Sequence, residues 1–162
     1  MRKNILILIL FLNPILLTIP LHLSAENLKI SASGSWLLSI DQSNLISGGR
    51  SNLQSTYQSP PDATLIDIKA NKKSSWAVYV RRIPLPNNLT IDVRRTSDGR
   101  GQGTIEGGEN FIPLGEGYTM LFRGRGERKD ITVQYRIRGV SISISPGLRD
   151  LQIIYTVEED GK

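Results

Sequence analysis

Asp130-Ile-Thr-Val-Gln-Tyr-Arg-Ile-Arg-Gly139, Val140-Ser-Ile-Ser-Ile-Ser-Pro-Gly-Leu-Arg-Asp150 and Leu151-Gln-Ile-Ile-Tyr-Thr-Val-Glu-Glu159 follow one another at the end of this chain. In the first run Ile131, Val133, Tyr135 and Ile137 alternate with Thr132, Gln134, Arg136 and Arg138. A period of two marks a strand with one buried face and one wet face. The last run repeats the pattern with Leu151, Ile153, Tyr155 and Val157. Between them Val140, Ile142 and Ile144 alternate with serines, which predicts a further short strand, and Pro146-Gly147 predicts a turn. Strands of this kind cannot bury their apolar faces alone, so the rest of the chain must supply an opposing layer.

Working back from that end, more alternating runs emerge. Ser75 to Arg82 puts Trp76, Val78 and Val80 on one side and Ala77, Tyr79 and Arg81 on the other. Leu89, Ile91 and Val93 alternate with Thr90, Asp92 and Arg94. Asn27 to Ser33, Ser35 to Ile40, Ala63 to Ala70 and Tyr118 to Arg123 read as shorter strands, with Gly103 to Glu106 as an edge. Asp41 to Asp62 is rich in Ser, Gln, Asn and Gly and reads as a loop. Eight or nine short strands, turn signals every ten or so residues and no helical period predict an all-β fold. The form expected is an antiparallel, immunoglobulin-like β-sandwich of about 8 strands, with a barrel as the lesser alternative.

The first 25 residues read differently. Arg2 and Lys3 precede an apolar stretch, Ile5 to Leu12, which resumes after Asn13-Pro14 and ends at Leu23-Ser24-Ala25. This is the pattern of a secretory signal peptide cut after Ala25. An uncleaved anchor is the alternative, and Asn13, Pro14 and Pro20 interrupt the run it would need. The expected organisation is residues 1–25 as leader and 26–162 as one domain, secreted, periplasmic or at the cell surface, with no transmembrane segment after cleavage. Removing 25 of 162 residues leaves 137, enough to bury a core without staples. There is no cysteine.

The sole histidine, His22, belongs to the leader, so the processed chain has neither His nor Cys. That removes the common general base, the usual nucleophile–base pairs and most transition-metal sites, and no cofactor or metal is expected. Without Arg2 and Lys3 the chain holds 18 basic and 15 acidic residues, a mild excess that gives no reason to expect nucleic acid. Asp98, Glu106, Glu109, Glu116, Glu127 and Asp130 cluster in sequence near the glycine-rich stretch 97–126. Two carboxylates facing across a cleft are the only hydrolase signature left open. The glycine stretch lacks the spacing of a phosphate loop and reads as hairpin turns.

The exposed side of the strands offers a binding hypothesis. If Trp76, Ile91 and Val133 point inward, then Tyr79, Arg81, Arg94, Arg136 and Arg138 point outward as a basic, partly aromatic face. Such a face suits an anionic envelope glycan, a lipid headgroup or an acidic partner. The plain alternative is a solvated sheet face. Tyr57, in the long polar loop, is a further ligand candidate.

The turn Ser145-Pro146-Gly147-Leu148-Arg149-Asp150, the alternating strand after it and the preceding Gln134 to Ser141 together resemble the closing hairpin of spore coat U and related pilus-subunit proteins. Leu148 stands where those proteins often have tyrosine, and the tail after Val157 is acidic. The resemblance implies an exported, non-catalytic sandwich serving as a structural or adhesive subunit of a surface coat or pilus-like assembly, with protein partners or self-assembly. A stand-alone envelope module using the arginine face is the second expectation.

Overall fold

The computed structural model describes residues 8–16, 28–41, 44–46, 52–84, 89–144 and 147–161. The proposed cleavage point at 23–25, His22 and Ser145-Pro146 lie outside the described residues. The strands in chain order are β1 (Leu8–Leu16), β2 (Lys29–Ser33), β3 (Trp36–Ile40), β4 (Leu45–Ile46), β5 (Asn52–Leu53) and β6 (Thr56–Gln58). Then come β7 (Thr64–Lys69), β8 (Ser75–Arg82), β9 (Thr90–Arg95), β10 (Arg100–Gly101), β11 (Ile105–Glu106) and β12 (Ile112–Pro113). The chain closes with β13 (Thr119–Arg125), β14 (Arg128–Arg138) and β15 (Gly147–Glu159). No α-helix occurs among the described residues, so none there is long and apolar enough to cross a membrane. The fold is all-β, as the alternation predicts.

Two large sheets carry the structure. The first runs β11-β13-β8-β15-β1-β3 and the second β12-β9-β14-β7-β2, with β6 and β10 also pairing to β14. Every pairing is antiparallel except β1 with β15. Trp76, Val78, Val80, Phe122, Ile153 and Tyr155 of the first sheet share one core with Ile66, Ile68, Ile91, Val93, Ile131, Val133 and Ile137 of the second. These are the inward sets that the period of two picks out. Burying an aliphatic side chain of this size contributes about 2 kcal/mol, so each sheet is held chiefly by the other.

Several polar groups inside the core pair with one another. The Tyr135 hydroxyl of the second sheet lies 2.7 Å from the Tyr155 hydroxyl of the first and 2.8 Å from Thr64 Oγ1. Both tyrosines are fully buried. Trp76 donates its indole N–H to the Gly126 carbonyl at 2.8 Å. Gly124 lies against that ring: a Cβ there would stand 2.6 Å from Trp76 Cη2, so the close approach demands glycine.

Two parts differ from the sequence expectations. Val140 to Ile144 is a turn and not a strand. Gly139 at φ 85° ends β14, Ile144 N–H bonds back to the Ser141 carbonyl at 3.1 Å, and Ile142 is exposed. Alternation over five residues cannot outweigh a left-handed break just before it. The polar connection 41–62 holds β4, β5 and β6, because β6 finds an open edge on β14.

Leu8–Leu16, within the 25 residues read as a leader, is a strand. Along its whole length it pairs parallel with β15, from Leu8 opposite Gly147 to Leu16 opposite Tyr155. On its other side Leu8 to Leu12 pair antiparallel with Ile40 to Trp36. Pro14 falls beyond the end of β3, where β1 has a single neighbour. A residue without an N–H is tolerated there better than between two partners.

Candidate functional site

Two places combine position with chemistry: the β1 seat in the first sheet and the outer face of the second. The seat is defined by its walls. β3 has β1 as its only neighbour among the described strands, and β15 has β1 along one edge and β8 along the other. Leu12, Pro14 and Leu16 stand in register with Leu151, Ile153 and Tyr155, and Leu8 and Leu12 with Ile40 and Trp36. All five of these wall residues are buried. A strand seated here therefore joins two backbone edges and covers an apolar floor.

The outer face of the second sheet is built on β9 and β14. Their register sets Gln134 opposite Arg94, Arg136 opposite Asp92 and Arg138 opposite Thr90. Asp92 is an outward residue that is only 1% exposed, because two arginines close over it. Arg136 Nε and Arg138 Nε each donate to Oδ2 at 2.7 Å, and Arg138 Nη2 donates to Oδ1 at 2.8 Å. Burial alone pushes the Asp92 carboxyl up. The hydrogen bonds from Arg138 and Arg136 outweigh that and hold it below the ordinary carboxylate range.

Phe111, just before β12, completes the face. The guanidinium of Arg136 lies 4.2 Å from its ring centroid and that of Arg94 4.6 Å. Both distances fall within cation–π range. Arg94 Nε also donates to Gln134 Oε1 at 2.9 Å, and Gln134 Nε2 donates to the Ser59 carbonyl at 2.7 Å. Two guanidiniums thus meet one carboxylate, and the third, that of Arg94, has no acidic partner among the described residues.

The six residues singled out in the sequence do not form one face. Arg94, Arg136 and Arg138 are brought together on the second sheet. Tyr79 and Arg81 lie on β8 of the first sheet, where the Arg81 guanidinium lies 5.1 Å from the Tyr118 ring centroid. Tyr57 on β6 stands in register with Ile137 and packs against the core, its hydroxyl buried without a described partner. Burial raises the Tyr57 phenol above its ordinary pKa. Strand alternation tells which side of its own sheet a residue takes but not which sheet holds it. Phe111 and the burial of Asp92 escaped the sequence reading.

Most of the carboxylates near the glycine stretch are taken by cations. Arg95, buried, pairs with Asp98 and with Glu109 at 2.9 Å and donates to the Gly107 carbonyl at 2.8 Å. Glu106 pairs with Arg123 at 3.1 Å, Asp130 with Arg100 and Glu127 with Lys129 at 3.6 Å. A shallow pocket of about 250 Å³ brings Glu106 near Asp160, with Arg123 and Arg125 in its lining. Among the described residues no group of three His, Cys, Asp or Glu side chains gathers to hold a metal. A scan of known protein families finds none that matches this chain, and a search of curated proteins finds no match either.

Proposed function

We propose that the chain is an exported, non-catalytic structural subunit of a surface coat or pilus-like assembly. In this reading the domain is an immunoglobulin-like sandwich whose first sheet is completed by a strand from a neighbouring chain. One observation carries it. The strand between β15 and β3 is Leu8–Leu16, which lies inside the segment whose sequence pattern is that of a cleaved leader. Removal of the leader takes the middle strand out of the first sheet. It leaves β15 and β3 with open backbone edges over a floor of Trp36, Ile40, Leu151, Ile153 and Tyr155. An open edge over an apolar floor is what strand addition uses: main-chain hydrogen bonds supply affinity and alternate side chains supply register. The sequence likeness of the closing segment to coat and pilus subunits supports the same reading, although β14 and β15 lie in different sheets and form no hairpin with each other.

Size-exclusion chromatography and negative-stain microscopy of residues 26–162 test it, with and without envelope extract. The expected result is concentration-dependent association into dimers or longer strands. A strict monomer at high concentration in both conditions would overturn the proposal.

A further inference from the structure

We infer that the outer face of the second sheet is a binding site for a linear polyanionic glycan, with Arg94, Arg136 and Arg138 as its anion-holding residues. This goes beyond assembly through the first sheet and stands on a separate surface. The three arginines occupy successive outward rows of the β9–β14 ladder, at the level of Gln134, Arg136 and Arg138. Rows on one side of a strand are two residues apart, roughly 7 Å. The three side chains therefore rise from successive rows along the strands, while Asp92 draws Arg136 and Arg138 together and Phe111 draws Arg136 and Arg94 together, which makes one continuous cationic strip. A headgroup with one phosphate can engage one or two of them, whereas a chain with repeated carboxylate or sulfate groups can engage the series.

The arginines are held in place before any ligand arrives. Asp92 fixes Nε of Arg136 and of Arg138, Gln134 fixes Nε of Arg94, and Phe111 lies against both the Arg94 and the Arg136 guanidinium. Each of the three side chains has its Nε committed inside the protein. The Nη1 of Arg136 and of Arg138 and both Nη atoms of Arg94 carry no hydrogen bond to a described residue. Arg94 and Arg136 are half-buried and Arg138 is 46% exposed on its side chain, so these donors reach solvent. Three guanidiniums against the single Asp92 leave two positive charges uncompensated. Guanidinium forks match carboxylate and sulfate geometry, and fixing them beforehand lowers the entropy cost of binding.

The full chain titrated against polygalacturonate and heparin at low salt tests the inference, with phosphatidylglycerol vesicles as the competing source of anions. Both polymers are expected to bind, with affinity falling as salt rises. Arg94→Gln and Phe111→Ala should each weaken binding about tenfold, since each removes or loosens one charged contact. Both leave the Asp92 cluster in place. Arg81→Gln removes the same charge from the first sheet and should leave binding unchanged. Equal weakening by Arg81→Gln and Arg94→Gln would overturn the site in favour of net charge alone. Binding to vesicles but to neither polymer, or no binding at low salt, would also overturn it.

Discussion

The two sheets of this protein are built from comparable strands and end in opposite conditions. The second sheet draws every strand from residues 29–138, and each strand on its path has its neighbours within that span. The first sheet depends on Leu8–Leu16 to connect β3 to β15. Take that segment away and one sheet keeps its ladder while the other loses a middle strand. The contrast teaches where partners can enter. On the reading proposed above, the sheet complete in itself would recognise through side chains on its outer face, and the sheet with an open seat through its backbone.

The largest expected effect breaks the comparison if it fails. Residues 26–162 should melt at least about 10 °C below the full chain in differential scanning calorimetry. A nine-residue strand forms net hydrogen bonds worth about 1 kcal/mol each along two edges, and 1 kcal/mol shifts the melting point of a domain this size by roughly 4 °C. Equal melting points would show that the first sheet does not need Leu8–Leu16.

The seam between the sheets sharpens it. Tyr135→Phe leaves the Thr64 and Tyr155 hydroxyls buried without their shared partner and should cost about 3 kcal/mol in urea unfolding of the full chain. Tyr155→Phe leaves Tyr135 its bond to Thr64 and should cost about 1 kcal/mol in the full chain. In residues 26–162 the Tyr155→Phe cost should shrink, because water reaches Tyr155 through the empty seat. A cost unchanged between the two forms would mean the seat stays closed.

Asp92→Ala probes the sheet that is complete. It removes a buried carboxylate from beneath two arginines that are themselves partly exposed, so the loss should be about 2 kcal/mol by urea denaturation. It should be the same with or without residues 1–25. A loss that depends on the leader would couple the two sheets in a way the strand order does not provide.

The smallest effect is in pH. Burial pushes the Tyr135 phenol up to about 12 and the Tyr155 phenol well above its ordinary value of 10, the latter also because a negative charge there would face Tyr135. The unfolded chain releases these protons near pH 10 and the folded one holds them further. The stability they contribute is therefore fully present below pH 10 and is lost as pH rises through about 12. Ultraviolet titration of the full chain should show late phenols that include Tyr135 and Tyr155, beside the raised Tyr57. In residues 26–162 the Tyr155 phenol should ionise earlier. The same number of late phenols in both forms would contradict an opened seat.

Much of the fold was legible because alternation is local. Val133, Tyr135 and Ile137 on β14, and Trp76, Val78 and Val80 on β8, declare their buried side in any arrangement. Strand order is not local, and Arg81 could not be separated from Arg94 until β8 and β9 were placed in different sheets. Phe111 was hidden for a similar reason, since its partners lie on β9 and β14. Leu8–Leu16 shows no period of two. A largely apolar run, broken only at Asn13-Pro14, fits a leader core as well as a strand, and composition cannot tell the two apart.

The most direct measurement is hydrogen exchange on residues 26–162, at a concentration where the chain is monomeric. It is made with and without a peptide carrying Leu8–Leu16 between solubilising lysines. Amides of residues 147–152, which lie before the stretch of β15 paired with β8, and of Trp36–Ile40 should exchange rapidly alone and become protected when the peptide is added, while β9 and β14 stay protected throughout. Full protection of β15 and β3 without the peptide, unchanged by adding it, would contradict the account.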